Sequence, residues 1–269
     1  MKLKIEEHRS PVINVDTLEV NNSAIQMYLK CAKQYEFRYV EGIKSRPGIA
    51  LLEGSSHHKA LEINNKNKRD KSKDLSPSAL TEIFVEDFRD RVKKEKNEII
   101  WQDEKEDDII SRADLLHRDY IRRIAPKIKP VDVEHKFEVP VKVGDLTFTL
   151  YGTKDLTTQS HVWDYKTTTR KRSQNDVDND LQLTLYSFAA KKKKVGIIEF
   201  RKTANPEVGI IESERTVRQT LWALEIAASV VKAVRNKSFP MTNPTNWWCS
   251  PKWCGYWSRC RGKFEDKIG

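Results

Sequence analysis

Two carboxylates and an ammonium group stand close together in the middle of the sequence, in Gly152-Thr-Lys-Asp155 and Asp164-Tyr-Lys166. Side chains alternate along an extended chain, so on one strand Asp164 and Lys166 point to the same face, and Asp155 on a neighbouring strand can join them there. Such a group has a definite chemical use. Hard oxygen ligands hold Mg2+ or Mn2+ against a scissile phosphate while a lysine orients or deprotonates the attacking water. The cation in turn relieves the mutual repulsion of the carboxylates.

A second group is built from sulfur. Cys31 is alone near the start, and Cys249, Cys254 and Cys260 crowd into Trp247-Trp-Cys-Ser-Pro-Lys-Trp-Cys-Gly-Tyr-Trp-Ser-Arg-Cys260. Three thiols in one short segment need a fourth to complete a tetrahedral site, and Cys31 is the remaining cysteine of the chain. A structural Zn2+ suits four thiolates, and four buried free thiols are the bland alternative. The tryptophans beside them are read as a screen against water in preference to a base-stacking surface.

Positioning these groups falls to elements read from the apolar period. A helix is expected over 23–40, capped by Ser23, with Ile25, Tyr28, Leu29, Ala32, Tyr35 and Phe37 at helical spacing and Gly42 as its stop. A second helix covers 52–63 and is followed by an exposed polar loop at 64–74. Ser76-Pro-Ser-Ala opens a third, with the stripe Leu80, Ile83, Phe84, Phe88 and Val92, and 107–124 makes a fourth. The period then changes to two. Segments 131–139 and 146–151 flank a Gly144-Asp145 turn as a hairpin, a strand covers 161–166, a helix 180–191, a strand 195–200 and a long helix 217–234. The order α, β, β, β, α, β predicts an α/β fold with helices around a mixed sheet.

Composition narrows the function. The chain has 269 residues, and 49 Lys+Arg against 39 Asp+Glu give a net charge of +10, which favours a polyanionic partner. No run approaches the ~18 apolar residues of a membrane span. Glu6 and Glu7 stand where the apolar stretch of a signal peptide would begin, so a cytoplasmic protein with no membrane partner and no disulfide framework is expected. There is no G-x-x-x-x-G-K-[ST] motif, which excludes a P-loop motor, and no zinc-finger or homeodomain pattern to read base sequence. Arg170, Lys171 and Arg172 follow the Asp164 strand closely enough to grip phosphates, whereas Lys191 to Lys194 reads as a solvated helix end.

Taken in order, Leu51-Leu-Glu-Gly54-Ser-Ser-His-His58-Lys-Ala-Leu-Glu62, Gly152-Thr-Lys-Asp155, Asp164-Tyr-Lys166 and Gln182-Leu-Thr-Leu-Tyr186 resemble the PD-(D/E)XK nuclease superfamily in its RecB-type branch. The pattern there is a helical histidine, then G-x-x-D, D/E-x-K and Q-x-x-x-Y. The resemblance runs from Ser23 to Cys260, with 65–125 matching only as generic helices. It implies a restriction-endonuclease-like core (αβββαβ) in a single nuclease domain over 1–269, a helical insertion at 65–125 and additions at both ends. It also implies roles: His58, rather than His57, with Asp155, Asp164 and the Tyr165 carbonyl as metal ligands; Lys166 positioning the nucleophile; Gln182 and Tyr186 facing the substrate backbone.

The cysteines are similar to the iron–sulfur subgroup of the same branch, which includes the AddB-type recombination nuclease and the CRISPR-adaptation nuclease. Tyr28-Leu-Lys-Cys-Ala-Lys-Gln-Tyr-Glu-Phe37 is similar as well. This implies a [4Fe-4S] cluster on Cys31, Cys249, Cys254 and Cys260 that ties 23–45 to 240–262. The trio is C-x4-C-x5-C where many relatives have a shorter first spacing, and Zn2+ stays open on that ground. The activity implied is a Mg2+- or Mn2+-dependent DNA exonuclease, 5′→3′, in phage or bacterial recombination or repair, beside a single-strand annealing recombinase. The alternatives are a CRISPR-adaptation-type nuclease and a catalytically inactive, metal-stapled nucleic-acid-binding protein.

Overall fold

The computed structural model describes residues 19–95 and 99–262; Glu6 and Glu7, read above, lie outside them. Along the chain run strand β1 (Glu19–Val20), helices α1 (Asn22–Lys30) and α2 (Ala32–Tyr35), a π-helical turn (Glu36–Val40), and helices α3 (Ile49–Lys71), α4 (Pro77–Glu95) and α5 (Glu106–Asp119), the last continued by a π-helical turn (Tyr120–Ile124). Strands β2 (Asp132–Val143), β3 (Leu146–Thr157) and β4 (His161–Thr168) follow. Then come α6 (Gln174–Asp178), α7 (Leu181–Ala190), β5 (Lys194–Arg201), β6 (Glu207–Glu214) and α8 (Val217–Arg235). The result is a mixed α/β fold with helices flanking a central mixed sheet, as the element order predicts. No helix among the described residues is long and apolar enough to cross a membrane.

The chain divides into two compact units. In the larger, residues 47–137 and 152–223, β3 pairs antiparallel with β4, β4 parallel with β5, and β5 antiparallel with β6. The register sets Asp164 opposite Ile197 and Lys166 opposite Glu199. β5 reads Val195-Gly-Ile-Ile-Glu-Phe and is buried along nearly its whole length, as a central strand covered on both faces must be. Gly196 has a steric reason: a Cβ there would meet the Trp163 ring at 2.2 Å.

Helices α3, α4 and α5 cover one face. Leu61, Leu80, Phe84, Phe88, Ile109 and Leu116 close on Tyr165, Ile198 and Phe200 of the sheet. Removing a ring such as the fully buried Phe84 would cost about 3–5 kcal/mol. Residues 164 and 166 point to the opposite face, where α7 packs on β4 and β5.

The smaller unit, residues 19–46, 138–151 and 224–262 of those described, joins β1 in parallel to the first half of β3. Tyr28, Tyr35 and Phe239 pack as an aromatic cluster. The N-cap of α1 is Asn21, whose side chain accepts from the Ala24 amide, and not Ser23, which lies within the helix. The helix expected over 23–40 breaks at Cys31, where φ is −166°.

Two more expectations change. α3 runs through to Lys71, so most of the polar 64–74 stretch is helical and not loop. Its asparagines are used as buried connectors: Asn64 holds Asp74 and the Leu75 amide, and Asn65 donates to the Tyr165 hydroxyl at 2.7 Å. β6 has no counterpart in the sequence reading; its burial falls off after Val208, as expected of an edge strand whose polar side faces water.

Candidate active site

Helix α3 carries two adjacent histidines into opposite surroundings. Consecutive helical residues point about 100° apart. His57 is therefore buried against Phe84, Phe200 and His117, whereas His58 faces a cavity of about 430 Å³ lined by Gly54, Ser55, Lys59, Glu62, Arg91 and Glu134, among others.

His58 Nε2 lies 2.9 Å from the Tyr165 carbonyl oxygen and Nδ1 lies 3.5 Å from Asp155 Oδ2. A carbonyl only accepts, so Nε2 carries a proton and Nδ1 is the nitrogen turned to the carboxylate. Asp155 Oδ2 accepts the Tyr165 amide at 2.8 Å. One backbone residue of β4 thus orients both side chains, the arrangement by which outer partners fix metal-ligating groups. Burial alone would lower the His58 pKa, but the hydrogen bond and charge of Asp155, with Asp164 behind it, raise it to about 9.

Glu134 on β2 completes the group. Ligand atoms of His58, Glu134 and Asp155 all lie within 4.8 Å of one another. Burial and then the charge of Asp155 push the Glu134 carboxyl up to about 7. Its φ of +50°, within a strand, costs a side-chain-bearing residue about 1–2 kcal/mol. Two carboxyls and an imidazole gathered this tightly are the donor set that a hard divalent cation relieves, and the nitrogen donor favours Mn2+ over Mg2+.

Asp164, on β4, is buried and held from two sides. Gln182 Nε2 donates to its Oδ1 at 2.8 Å, and Lys166 Nζ stands 2.7 Å from its Oδ2 as an ion contact without a directed hydrogen bond. Lys166 donates to Gln182 Oε1 at 2.7 Å, and Gln182 Nε2 also reaches the Tyr186 hydroxyl at 3.1 Å. Burial raises the Asp164 pKa with Lys166 opposing. Burial lowers that of Lys166, but Asp164 outweighs it, so the ammonium stays charged at neutral pH. Gly152 makes room beside this group: a Cβ there would lie 3.0 Å from the Phe137 ring and 3.6 Å from that of Tyr186.

The structure therefore brings His58 and Asp155 together, sets Asp164, Lys166, Gln182 and Tyr186 in one hydrogen-bonded group, and gives the Tyr165 carbonyl to His58. Glu134 escaped the sequence reading, because simple alternation gives no sign of the left-handed residue that breaks the period of β2. Arg170 and Lys171 are exposed on the loop after β4, and the Arg172 amide donates to the buried Glu199 at 3.0 Å.

In the smaller unit Cys31, Cys249, Cys254 and Cys260 line one enclosed cavity with Gln34 and Tyr256. Gln34 Nε2 lies 3.2 Å from Cys254 Sγ, and burial followed by the charges of Cys31, Cys254 and Cys249 pushes the Cys260 thiol up. Among the described residues no three of these sulfurs lie within 4.8 Å of one another. Trp257 lines the cavity, but Trp247 and Trp253 do not, so the screening expected of the tryptophans falls to Trp257.

A mixed sheet flanked by helices, with a buried carboxylate–lysine pair on one strand and a histidine–carboxylate trio beside it, defines a restriction-endonuclease-like protein with a site suited to divalent-metal phosphodiester chemistry. The profile of the PD-(D/E)XK nuclease superfamily matches residues 19–261, and the chain belongs to that superfamily. Its nucleases act on DNA and generally use divalent metals. No curated protein matches the sequence. Among solved structures, a candidate exonuclease from Eubacterium rectale is similar in fold, with a TM-score of 0.58 at 14% identity over 93% of this chain and 92% of that one. The protein SSO0001 aligns over 87% of this chain and 95% of its own at 13% identity, but with a TM-score of 0.37.

Proposed function

We propose that the chain is a Mg2+- or Mn2+-dependent exodeoxyribonuclease. The observation that carries the reading is the meeting of His58, Glu134 and Asp155 ligand atoms within 4.8 Å of one another, with Asp164 and Lys166 in the same electrostatic neighbourhood. A divalent ion bound there would polarise the phosphate and favour ionisation of an attacking water. His58 Nδ1, Asp155 and Glu134 would hold it, with Asp164 next to them. Lys166, kept charged by Asp164, orients the water and stabilises the charge that builds on the phosphoryl oxygens. Gln182 fixes Asp164 and Lys166 relative to each other. The water oxygen bonds to phosphorus and gives up a proton to solvent as the P–O3′ bond breaks, and the departing O3′ takes a proton from solvent, leaving a 5′-phosphate and a 3′-hydroxyl.

Attack at ends is supported by the lack of a base-reading motif in the sequence. The 5′→3′ direction and work in phage or bacterial recombination or repair, beside a single-strand annealing recombinase, rest on the likeness to the RecB-type branch. The reading extends to the four cysteines. The likeness of Cys31 and the C-terminal trio to the iron–sulfur subgroup supports a [4Fe-4S] group, which would act as a cross-link between the two ends of the smaller unit, with a structural Zn2+ as the alternative.

The test is digestion of end-labelled linear DNA and of covalently closed circular DNA with Mn2+. Progressive loss of the linear form with survival of the circle is expected. Rapid nicking of the circle would move the protein to the endonucleases, and an Asp164→Ala variant as fast as the parent would end the assignment.

A further inference from the structure

The tail contains an aromatic surface that neither the metal site nor the cysteine cavity uses. Trp247 is 65% exposed and Trp253 46% exposed. Their rings meet edge to face at 5.4 Å and 88°, and Trp248 meets Trp247 edge to face at 5.6 Å. Lys252 Nζ stands 5.2 Å from the centroid of the Trp253 ring. Exposed tryptophans rigidified by neighbouring rings are costly to leave in water and well suited to an amphipathic planar ligand.

Charge says what the ligand carries. Residues 236–262 hold Lys237, Lys252, Arg259 and Arg261 and no Asp or Glu. A protein partner with an apolar patch would need no such bias, whereas a chain of phosphates with aromatic bases requires both halves of it. Bases inside a duplex are already stacked on each other, so away from the terminal pairs only unpaired bases can offer a face to these rings.

We propose that Trp247 and Trp253 form a stacking platform for single-stranded DNA, with Lys252 beside Trp253 taking its phosphates. The choice of DNA rests on the nuclease reading; the stacking itself does not. Each stacked base adds affinity without demanding a particular sequence, and Lys252, held near the Trp253 ring, is placed to pair with the strand's phosphates.

The test uses the full chain with Asp164→Ala, so that binding is measured without cleavage and a failed nuclease reading leaves this result untouched. Oligo(dT) of about 20 nucleotides and a blunt duplex of the same length are titrated by anisotropy and by tryptophan fluorescence. Trp247→Ala and Trp253→Ala are each expected to weaken oligo(dT) binding about 5- to 50-fold, to leave duplex binding unchanged, and to leave the salt dependence unchanged, because stacking releases no counterions. Trp247→Phe should retain most of the affinity, and Trp247→Leu, apolar but without a π face, should lose as much as Ala. Oligo(dT) binding by Trp247→Leu equal to the parent would overturn the proposal. So would equal losses for duplex and single strand, or a loss in Trp247→Phe as large as that in Ala. Tail variants that lose an annealing protein while keeping oligo(dT) would assign the surface to a protein instead, which also overturns it.

Discussion

Acid should weaken the larger unit through the buried pair His57 and His117. Thr81 Oγ1 donates to the Pro77 carbonyl at 3.0 Å, so its oxygen accepts from His117 Nδ1, also at 3.0 Å. His117 Nε2 is then a bare acceptor, and His57 Nδ1 donates to it at 3.1 Å. That leaves His57 Nε2 buried without a partner, facing the Phe84 and Phe200 rings. A proton added to either ring has no acceptor. Burial holds His117 down at about 3 and His57 well below its ordinary value, the latter with His117, His58, Lys202 and Arg112 adding to the effect. The folded pKa values lie below the unfolded value of ~6.5, so the unfolded chain takes up protons that the folded chain refuses. The contribution is complete above pH ~6.5 and is lost as pH falls from there towards ~3. Between pH 7.5 and pH 5.5 each ring should cost about 1.4 kcal/mol, or about 3 kcal/mol for the pair. Urea unfolding at both pH values, compared between the parent and His57→Leu/His117→Leu, isolates this share, since every other titrating group is common to both. The double variant should lose about 3 kcal/mol less than the parent over that interval whatever its absolute stability. Parallel pH dependences, or a His117 ring that titrates near pH 6 by NMR, would refute the tautomer assignment.

Asp155→Ala should reduce cleavage by at least about a hundredfold and weaken Mn2+ binding measured by calorimetry. Lys166→Ala should lose turnover while Mn2+ affinity stays close to that of the parent. Glu134→Gly removes a ligand and a strained backbone together, so it should bind Mn2+ more weakly yet unfold about 1 kcal/mol later than Glu134→Ala. Gln182→Leu, which frees Asp164 and Lys166 from each other's geometry, should lower kcat about 10- to 100-fold. Anaerobic preparations should be brown with thiolate–iron absorbance, bleached by serine at any of Cys31, Cys249, Cys254 or Cys260, whereas a colourless protein with one tightly held zinc would decide for the other metal.

Where sequence and structure agree, one strong local period decides the element. The stripe Leu80, Phe84 and Phe88 matches α4 because nothing competes with burying it. The hairpin of β2 and β3 follows from alternation on both sides of Gly144, whose φ of +55° suits a residue without a side chain. Failures occur where polar residues are put to internal use. Asn64 and Asn65 look like loop residues, and only the tertiary partners Asp74 and Tyr165 make their burial tolerable. Glu134 was missed because its place in the site depends on one backbone torsion. The contact of His58 Nε2 with the Tyr165 carbonyl had no signal in the sequence, because it joins residues 107 positions apart.

The side-by-side histidines of α3 make that helix a rotary code. A single-residue deletion anywhere between Ile49 and His57 would turn everything beyond it by about 100°, driving the ring that faces the cavity into the aromatic core and the core ring into the buried place of Ser56, which holds Asp87. Neither can substitute for the other, since one environment forbids a proton and the other is rich in carboxylates. Length variation among natural versions of this chain is therefore expected to be purged from Ile49–Asn65 and to accumulate instead after Ser72, where the helix ends in a left-handed residue and a change of length rotates nothing that carries chemistry.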